Sequence, residues 1–174
     1  MTFHNALGRP AATAAVLCGL ALATASGAAA QAAAEASESP FTALKGNWQG
    51  SGTITLQNGN TERLRCRATY QVDRDGSSLQ QNLACTSDNY NFELRSGVEY
   101  DGGNITGTWM EVTRNLEGKI TGKIRDKGEI RAAVQSPNFS ASISIATRGN
   151  KQAVTIRSPG TELTQVNITL DRKG

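Results

Sequence analysis

From residue 46 to residue 172, apolar and polar side chains alternate in short segments that Gly, Asn, Asp or Pro interrupts about every 8 to 12 residues. A β-strand places every second side chain on the same face, and no segment here keeps a helical period. In residues 62–72, for example, Leu64, Cys66 and Tyr70 share one face, while Arg63 and Arg65 take the other. The pattern predicts an all-β fold of about ten strands. We place them at 46–56, 62–72, 78–86, 90–100, 104–113, 116–125, 129–135, 139–147, 151–158 and 163–172.

The turn lengths test this prediction, because a one-residue slip in pairing would send a whole apolar set to the wrong face. Short turns at residues 74–77, 102–103, 114–115 and 149–150 keep the apolar faces together when each pair of strands forms a hairpin. The predicted partners are Cys66 with Cys85, Tyr100 with Ile105, Trp109 with Ile120, Glu111 with Gly118, and Ile145 with Val154.

Short connections throughout favour an antiparallel up-and-down meander over a Greek-key sandwich, and an even strand count lets the last strand close on the first. The predicted fold is therefore a β-barrel of about ten strands. A barrel of the outer-membrane type would turn its apolar side chains towards lipid. Here the polar face carries Arg63, Arg65 and Arg67, so we expect a soluble barrel that does not span a membrane. A barrel of this size can hold a small ligand.

The N-terminal 30 residues have the organisation of a secretory signal peptide. Arg9 supplies the positive region, residues 11–25 are uncharged and mostly apolar, and Ala28-Ala29-Ala30 is a small-residue cleavage site. We expect cleavage near Ala30, with Ala32 as an alternative, and a periplasmic or secreted mature protein. Residues 31–40, rich in Ala, Glu and Ser, are expected to form a flexible mature N-terminus, and 41–174 a single β-barrel domain.

The composition removes several reaction classes. The single histidine of the 174 residues is His4, inside the predicted signal peptide, so a Ser/His/Asp triad, a Cys/His dyad and a histidine metal site are excluded from the mature chain. We expect no metal and no cofactor. The formal net charge of +3 falls to +2 when Arg9 leaves with the signal peptide, which is too small to indicate nucleic-acid binding.

Cys66 and Cys85 are the cysteines that remain after cleavage, since Cys18 leaves with the signal peptide. An exported protein meets an oxidising compartment, where an even number of cysteines indicates a disulfide. Two free thiols are the alternative.

Gly46-Asn47-Trp48, at the start of the first strand, resembles the G-x-W motif of lipocalins and related calycins. The resemblance implies that Trp48 closes the base of the barrel and that an Arg late in the last strand stacks on it. By parity that residue is Arg172. Lipocalins usually have eight strands and a C-terminal helix, whereas fatty-acid-binding proteins have ten strands and a helical lid that is missing here. The chain also resembles small exported alphaproteobacterial proteins, a likeness that implies no activity.

If Trp48 and Arg172 close one end, the mouth of the barrel lies at the other. There Tyr90 would offer a polar group to a ligand, and Glu111 would face inward near the rim. Glu111 could orient a ligand, act as an acid or base, or simply be hydrogen-bonded. The alternative for the whole set is a solid core. The candidate ligand-binding residues are Leu56, Leu64, Tyr90, Phe92, Glu111, Leu116 and Phe139.

Three functions are compatible with these observations. The first, which we favour, is a periplasmic lipocalin-like protein that binds a small apolar or amphipathic ligand in the barrel. The second is a protein-binding barrel, similar to exported bacterial protease inhibitors, whose free N-terminal segment 31–40 would contact an envelope protein. The third is an enzyme that uses Glu111 and Tyr90.

Overall fold

A computed structural model describes residues 39–125 and 128–174. The predicted signal peptide and residues 31–38 of the N-terminal segment lie outside these ranges. The described chain confirms the all-β prediction: ten antiparallel strands form a closed barrel in which each strand pairs with its neighbours in sequence and β10 pairs with β1. No helix in the described ranges is long and apolar enough to cross a membrane. The strands are β1 Gly46–Leu56, β2 Thr61–Val72, β3 Ser78–Thr86, β4 Asn91–Asp101, β5 Asn104–Glu111, β6 Leu116–Ile124, β7 Ile130–Ser136, β8 Phe139–Arg148, β9 Lys151–Arg157 and β10 Leu163–Lys173.

Most of the predicted registers are present. Cys66 lies opposite Cys85, and the predicted pairs of the β4–β5 and β8–β9 hairpins are also found. The predicted disulfide is confirmed, with a Cα–Cα distance of 4.2 Å between Cys66 and Cys85. In β2 the two faces separate as the alternation requires: Leu64 and Tyr70 are buried, while the arginines between them are exposed.

The predicted register of β5 and β6 is wrong. Trp109 faces Gly118 instead of Ile120, and Glu111 faces Leu116 instead of Gly118, because the turn contains residues 112–115 and not only 114–115. The longer turn is organised by Glu111, and Asn115 adopts a left-handed backbone conformation with φ 52°. Since the register moves by an even number of residues, every side chain keeps its predicted face.

Glycines on the inner face bring β1 and β10 close together. A Cβ atom on Gly50 or Gly52 would collide with the backbone carbonyl of Thr169 or Asn167. The absence of side chains there lets the two strands approach, so that this side of the barrel is densely filled by residues such as Ile54 and Leu170, both 0% exposed.

One end of the barrel is closed by Trp48, Arg172 and a short 3-10 helix, Thr42–Leu44. The Arg172 guanidinium lies over the Trp48 ring at 4.2 Å from its centroid, a cation–π arrangement. Arg172 also donates to the carbonyls of Ala43, at 2.6 Å, and of Lys45, and Trp48 Nε1 donates to the Leu44 carbonyl at 2.7 Å. These bonds hold the segment before β1 across the base of the barrel.

Above this base, Tyr70 crosses the interior from β2 to β9. Its hydroxyl donates to Gln152 Oε1 at 2.7 Å, and Gln152 Nε2 donates to Thr147 Oγ1 at 3.1 Å. Burial raises the pKa of Tyr70 far above its usual value, against the opposing effect of the bond to Gln152. The Tyr70 phenol is therefore neutral, and the base is closed by packed rings and satisfied hydrogen bonds.

Candidate ligand-binding site

A cavity of about 340 Å³ occupies the interior between the inner faces of β3 to β10. At about 30 Å³ for each water-sized group, this volume accommodates roughly 10 to 12 non-hydrogen atoms. It is at the small end of the range for ligand pockets. Phe41, from the segment that closes the base, also contributes to the lining, so the cavity begins directly above the base.

The cavity wall is mainly apolar. Trp109 is its largest aromatic side chain, and its ring packs against Phe139 with centroids 5.5 Å apart. Gln81 and Ser96 are polar residues of the wall, and they are hydrogen-bonded to each other, since Ser96 Oγ donates to Gln81 Oε1 at 3.0 Å. The apolar lining includes Leu79, Leu83, Phe92, Ile105, Ile120, Ile130, Val134, Ala141, Ile143, Ile145, Val154 and Ile156.

Trp109 Nε1 is buried and has no hydrogen-bond partner within the described ranges. The nitrogen lies over Gly118, where a Cβ atom would approach it to 2.8 Å. Gly118 therefore provides the space into which the indole edge packs, and a larger residue would displace the ring from the cavity wall.

Four of the residues predicted to contact a ligand line this cavity. They are Phe92, Glu111, Leu116 and Phe139. The structure places the other three elsewhere: Leu64 is fully buried in the packed side of the barrel, Leu56 packs against the same core, and Tyr90 lies in the loop between β3 and β4.

The mouth is at the end opposite Trp48 and Arg172. Its loops are tied together by polar side chains: the Tyr90 hydroxyl donates to Glu162 Oε1 at 2.9 Å. Glu62 accepts from Ser87 Oγ at 2.6 Å and from Asn89 Nδ2 at 2.9 Å. The bonds from Ser87 and Asn89 lower the pKa of Glu62, whereas the Glu162 carboxylate raises the pKa of Tyr90. At neutral pH Tyr90 is thus a neutral hydrogen-bond donor to Glu162.

Glu111 is 7% exposed, and its carboxylate is hydrogen-bonded to the turn that follows it. Its carboxylate accepts the backbone N–H groups of Glu93, Thr113 and Arg114 at 3.1, 3.2 and 2.8 Å, and the Thr113 hydroxyl at 2.5 Å. Burial acts to raise the pKa of Glu111, but these hydrogen bonds outweigh it, and the pKa is lowered. A carboxylate that stays ionised and is surrounded by donors is poorly suited to general acid catalysis.

Sequence reasoning missed two kinds of lining residue. Ile143 and Ile156 follow the same alternation as the predicted set, and continuing it around the barrel would have identified them. Arg114 and Glu162 lie in turns at the mouth, where no periodic signal operates, so only the folded loops show that they reach the cavity.

A second concave surface lies on the outside of the barrel and has a volume of about 990 Å³. Its lining comes from β2 to β7, and most of the residues that form it are polar, with Gln71, Gln80, Asn82 and Lys119 among them. An open, hydrated surface of this kind offers less apolar burial to a small ligand than the interior does. The interior cavity is therefore the better candidate site.

No protein-family model and no curated protein matches this chain. Several solved structures have a similar fold, among them the following two. The crystal structure of Rv2717c from M. tuberculosis matches with a TM-score of 0.59 and 11% identity, over 77% of this chain and 95% of that one. The S-type phycobiliprotein lyase CPES from Guillardia theta matches with a TM-score of 0.55 and 11% identity, over 77% of this chain and 90% of that one. Both are lipocalin-like ten-stranded antiparallel barrels, so the lipocalin-like fold is confirmed.

Proposed function

We propose that this protein is exported and binds a small apolar or amphipathic molecule inside its barrel. The observation that carries the proposal is the cavity of about 340 Å³, which has a mainly apolar wall and lies above a closed base. Transfer of apolar surface from water into such a cavity is favourable by about 25 cal/mol per Å². The polar side chains needed for a ligand's polar end are concentrated at the mouth.

The similar structures support the proposal at the level of the fold. By its name, one of them is a phycobiliprotein lyase, so a barrel of this fold occurs in a protein with that activity. We do not transfer that activity, because 11% identity carries the fold alone. The environment of Glu111 also gives the enzyme hypothesis no support. Most of segment 31–40, on which the inhibitor hypothesis rests, lies outside the described residues.

Binding can be tested with 10-bromodecan-1-ol, because a bromine atom quenches the fluorescence of a nearby indole. Trp109 lines the cavity, whereas Trp48 lies at the base below it. We expect saturable quenching of the wild-type protein. Ala141→Phe places a ring inside the cavity and should abolish the saturable quenching, whereas Ala153→Phe, at an exposed position of β9, should preserve it. Quenching that is equal in the two variants, or that never saturates, would contradict the proposal.

The proposed location is the periplasm or the exterior, after cleavage near Ala30. The Cys66–Cys85 disulfide supports it, since disulfides persist in oxidising compartments. Fractionation of the native host, followed by mass spectrometry of the intact protein, should give an envelope or secreted species that begins near Gln31. A cytoplasmic species that retains the predicted signal peptide, residues 1–30, would overturn this part of the proposal.

A further inference from the structure

Arg114 places a fixed cation at the mouth of the cavity. It lies in the turn between β5 and β6 and contributes to the cavity lining. Its Nη1 donates to the Asn91 carbonyl at 3.1 Å and to Thr113 Oγ1 at 3.0 Å, and lies 3.5 Å from Glu111 Oε2. Three partners of one nitrogen hold the guanidinium in position.

The opposite edge of the same guanidinium is unoccupied by protein. Among the described residues, no acceptor is hydrogen-bonded to Nε or Nη2 of Arg114, and the side chain is 42% exposed. This edge presents two parallel N–H groups, whose geometry matches the two oxygens of a carboxylate or the oxygens of a phosphate. Because the side chain is already held by Nη1, binding an anion costs little further rotamer entropy.

The rest of the cavity determines how a ligand must lie. Below the mouth the wall is mainly apolar, and the polar pair Gln81 and Ser96 is already hydrogen-bonded internally. Arg95 also contributes to the lining, but its guanidinium is exposed and pairs with Glu93 at 2.7 Å. A charged group buried at that depth would lose its hydration without gaining an ionic partner. The apolar part of an amphiphile therefore occupies the interior, and its charged end stays at the mouth.

From these contacts we infer that the ligand is a single-chain amphiphile with an acidic head group, which binds Nε and Nη2 of Arg114. This inference rests on the proposed function. The cavity volume limits the ligand to roughly 10 to 12 non-hydrogen atoms.

Two of the carboxylates at the mouth, Glu111 and Glu162, contribute to the cavity lining. The negative charge of Glu111 is already compensated by Nη1 of Arg114 and by four hydrogen-bond donors. Glu162 uses Oε1 to accept from Tyr90, which leaves its second oxygen as a site for a cationic head group. An amine of the same chain length is accordingly the competing ligand.

The test is calorimetric titration with decanoate, decan-1-ol and decylamine, each below its aggregation concentration. We expect the wild-type protein to bind decanoate about tenfold more tightly than decan-1-ol, as a charge-assisted hydrogen bond predicts. Arg114→Gln should remove that preference and leave the affinity for decan-1-ol within about twofold. Arg148→Gln removes the same charge from an exposed position at the base end and should preserve the preference.

The outcomes separate the head group from the cavity. Equal binding of decanoate and decan-1-ol to the wild-type protein would overturn the acidic head group and leave the proposed cavity function standing. The same conclusion follows if decylamine binds most tightly and Glu162→Gln lowers the affinity for decylamine. If none of the three binds, the proposed function fails as well. Should Arg114→Gln not fold, Arg114→Lys replaces it, because Lys keeps the charge but lacks the two parallel N–H groups. Arg114→Lys should lower the affinity for decanoate and not that for decan-1-ol, and equal effects on both affinities would overturn the inference.

Discussion

At the scale of single residues, the polar atoms of the closed base are matched in pairs across long sequence distances. Tyr70 and Gln152 are separated by 82 residues, yet their side chains meet inside the barrel at 2.7 Å. A buried acceptor left without a donor costs about 1 to 3 kcal/mol of the free energy of unfolding, more than the net gain from the bond itself. Such pairs contribute to stability chiefly because they leave no polar atom unmatched.

Removing the Tyr70 hydroxyl tests this contribution. Tyr70→Phe leaves Gln152 Oε1 buried without its donor, and we expect the free energy of unfolding to fall by about 1 to 3 kcal/mol. Urea denaturation monitored by circular dichroism measures the change. Tyr100→Phe is the matched control, since Tyr100 is only half-buried, and it should alter the free energy by less than about 0.5 kcal/mol. Equal effects in both variants would show that the Tyr70–Gln152 bond has no special role.

The same residue predicts how stability depends on alkaline pH. The pKa of Tyr70 is raised in the folded protein, so the folded state holds its proton more tightly than the unfolded state does. Its contribution is fully present below the unfolded pKa of about 10 and is lost as pH rises above that value. The stability difference between the wild-type protein and Tyr70→Phe should therefore shrink from pH 9 to pH 11. A difference that stays constant over this interval would contradict the assignment.

At the scale of elements, alternation and turn length predicted nearly all the hairpins, and the exception is instructive. The β2–β3 register follows from a turn between Asp73 and Ser78, and Cys66 faces Cys85 as expected. The β5–β6 turn is longer than predicted because the Glu111 carboxylate accepts the N–H groups of Thr113 and Arg114. A sequence pattern records which face a residue occupies, but not a side-chain bond that extends a turn.

The disulfide links β2 to β3 and should stabilise that hairpin against unfolding. Closing a loop with a sequence separation of 19 residues is worth roughly 3 kcal/mol on the chain-entropy estimate. The double variant Cys66→Ala/Cys85→Ala should lower the melting temperature measured by calorimetry in oxidising buffer. Under reducing conditions the variant and the wild-type protein should melt at similar temperatures, and a large remaining difference would indicate a packing defect instead of loss of the cross-link.

At the scale of the whole molecule, the barrel interior is asymmetric. The inner residues of β1 and β2, such as Trp48 and Leu64, are closely packed, while those of β3 to β10 surround the cavity. Gly50 and Gly52 permit the close approach of β1 and β10 on the packed side. This division lets a single barrel combine a stable base with an interior that has room for a ligand.

The asymmetry predicts unequal costs for the same truncation. Ile54 is fully buried on the packed side, so Ile54→Ala should lower the free energy of unfolding by about 2 to 5 kcal/mol. Ile143 lines the cavity and is half-buried, and Ile143→Ala removes fewer contacts, so its cost should be about half as large. Chemical denaturation of both variants measures the difference. Equal costs would indicate that the interior is filled.

The sequence by itself determined the strands, their faces and the pairing of Cys66 with Cys85, because these follow from a two-residue period and short turns. The meeting of Trp48 and Arg172 at one end was implied by the resemblance of Gly46-Asn47-Trp48 to the lipocalin motif, together with the inward parity of Arg172. It also identified Phe92, Glu111, Leu116 and Phe139, four residues that line the cavity. Only the tertiary structure decided that the interior is hollow on one side, that Glu111 organises a turn, and that Arg114 reaches the mouth. Those features depend on how closely the strands curve together and on how the loops fold. Contacts between residues distant in sequence control both, and local periodicity does not record such contacts.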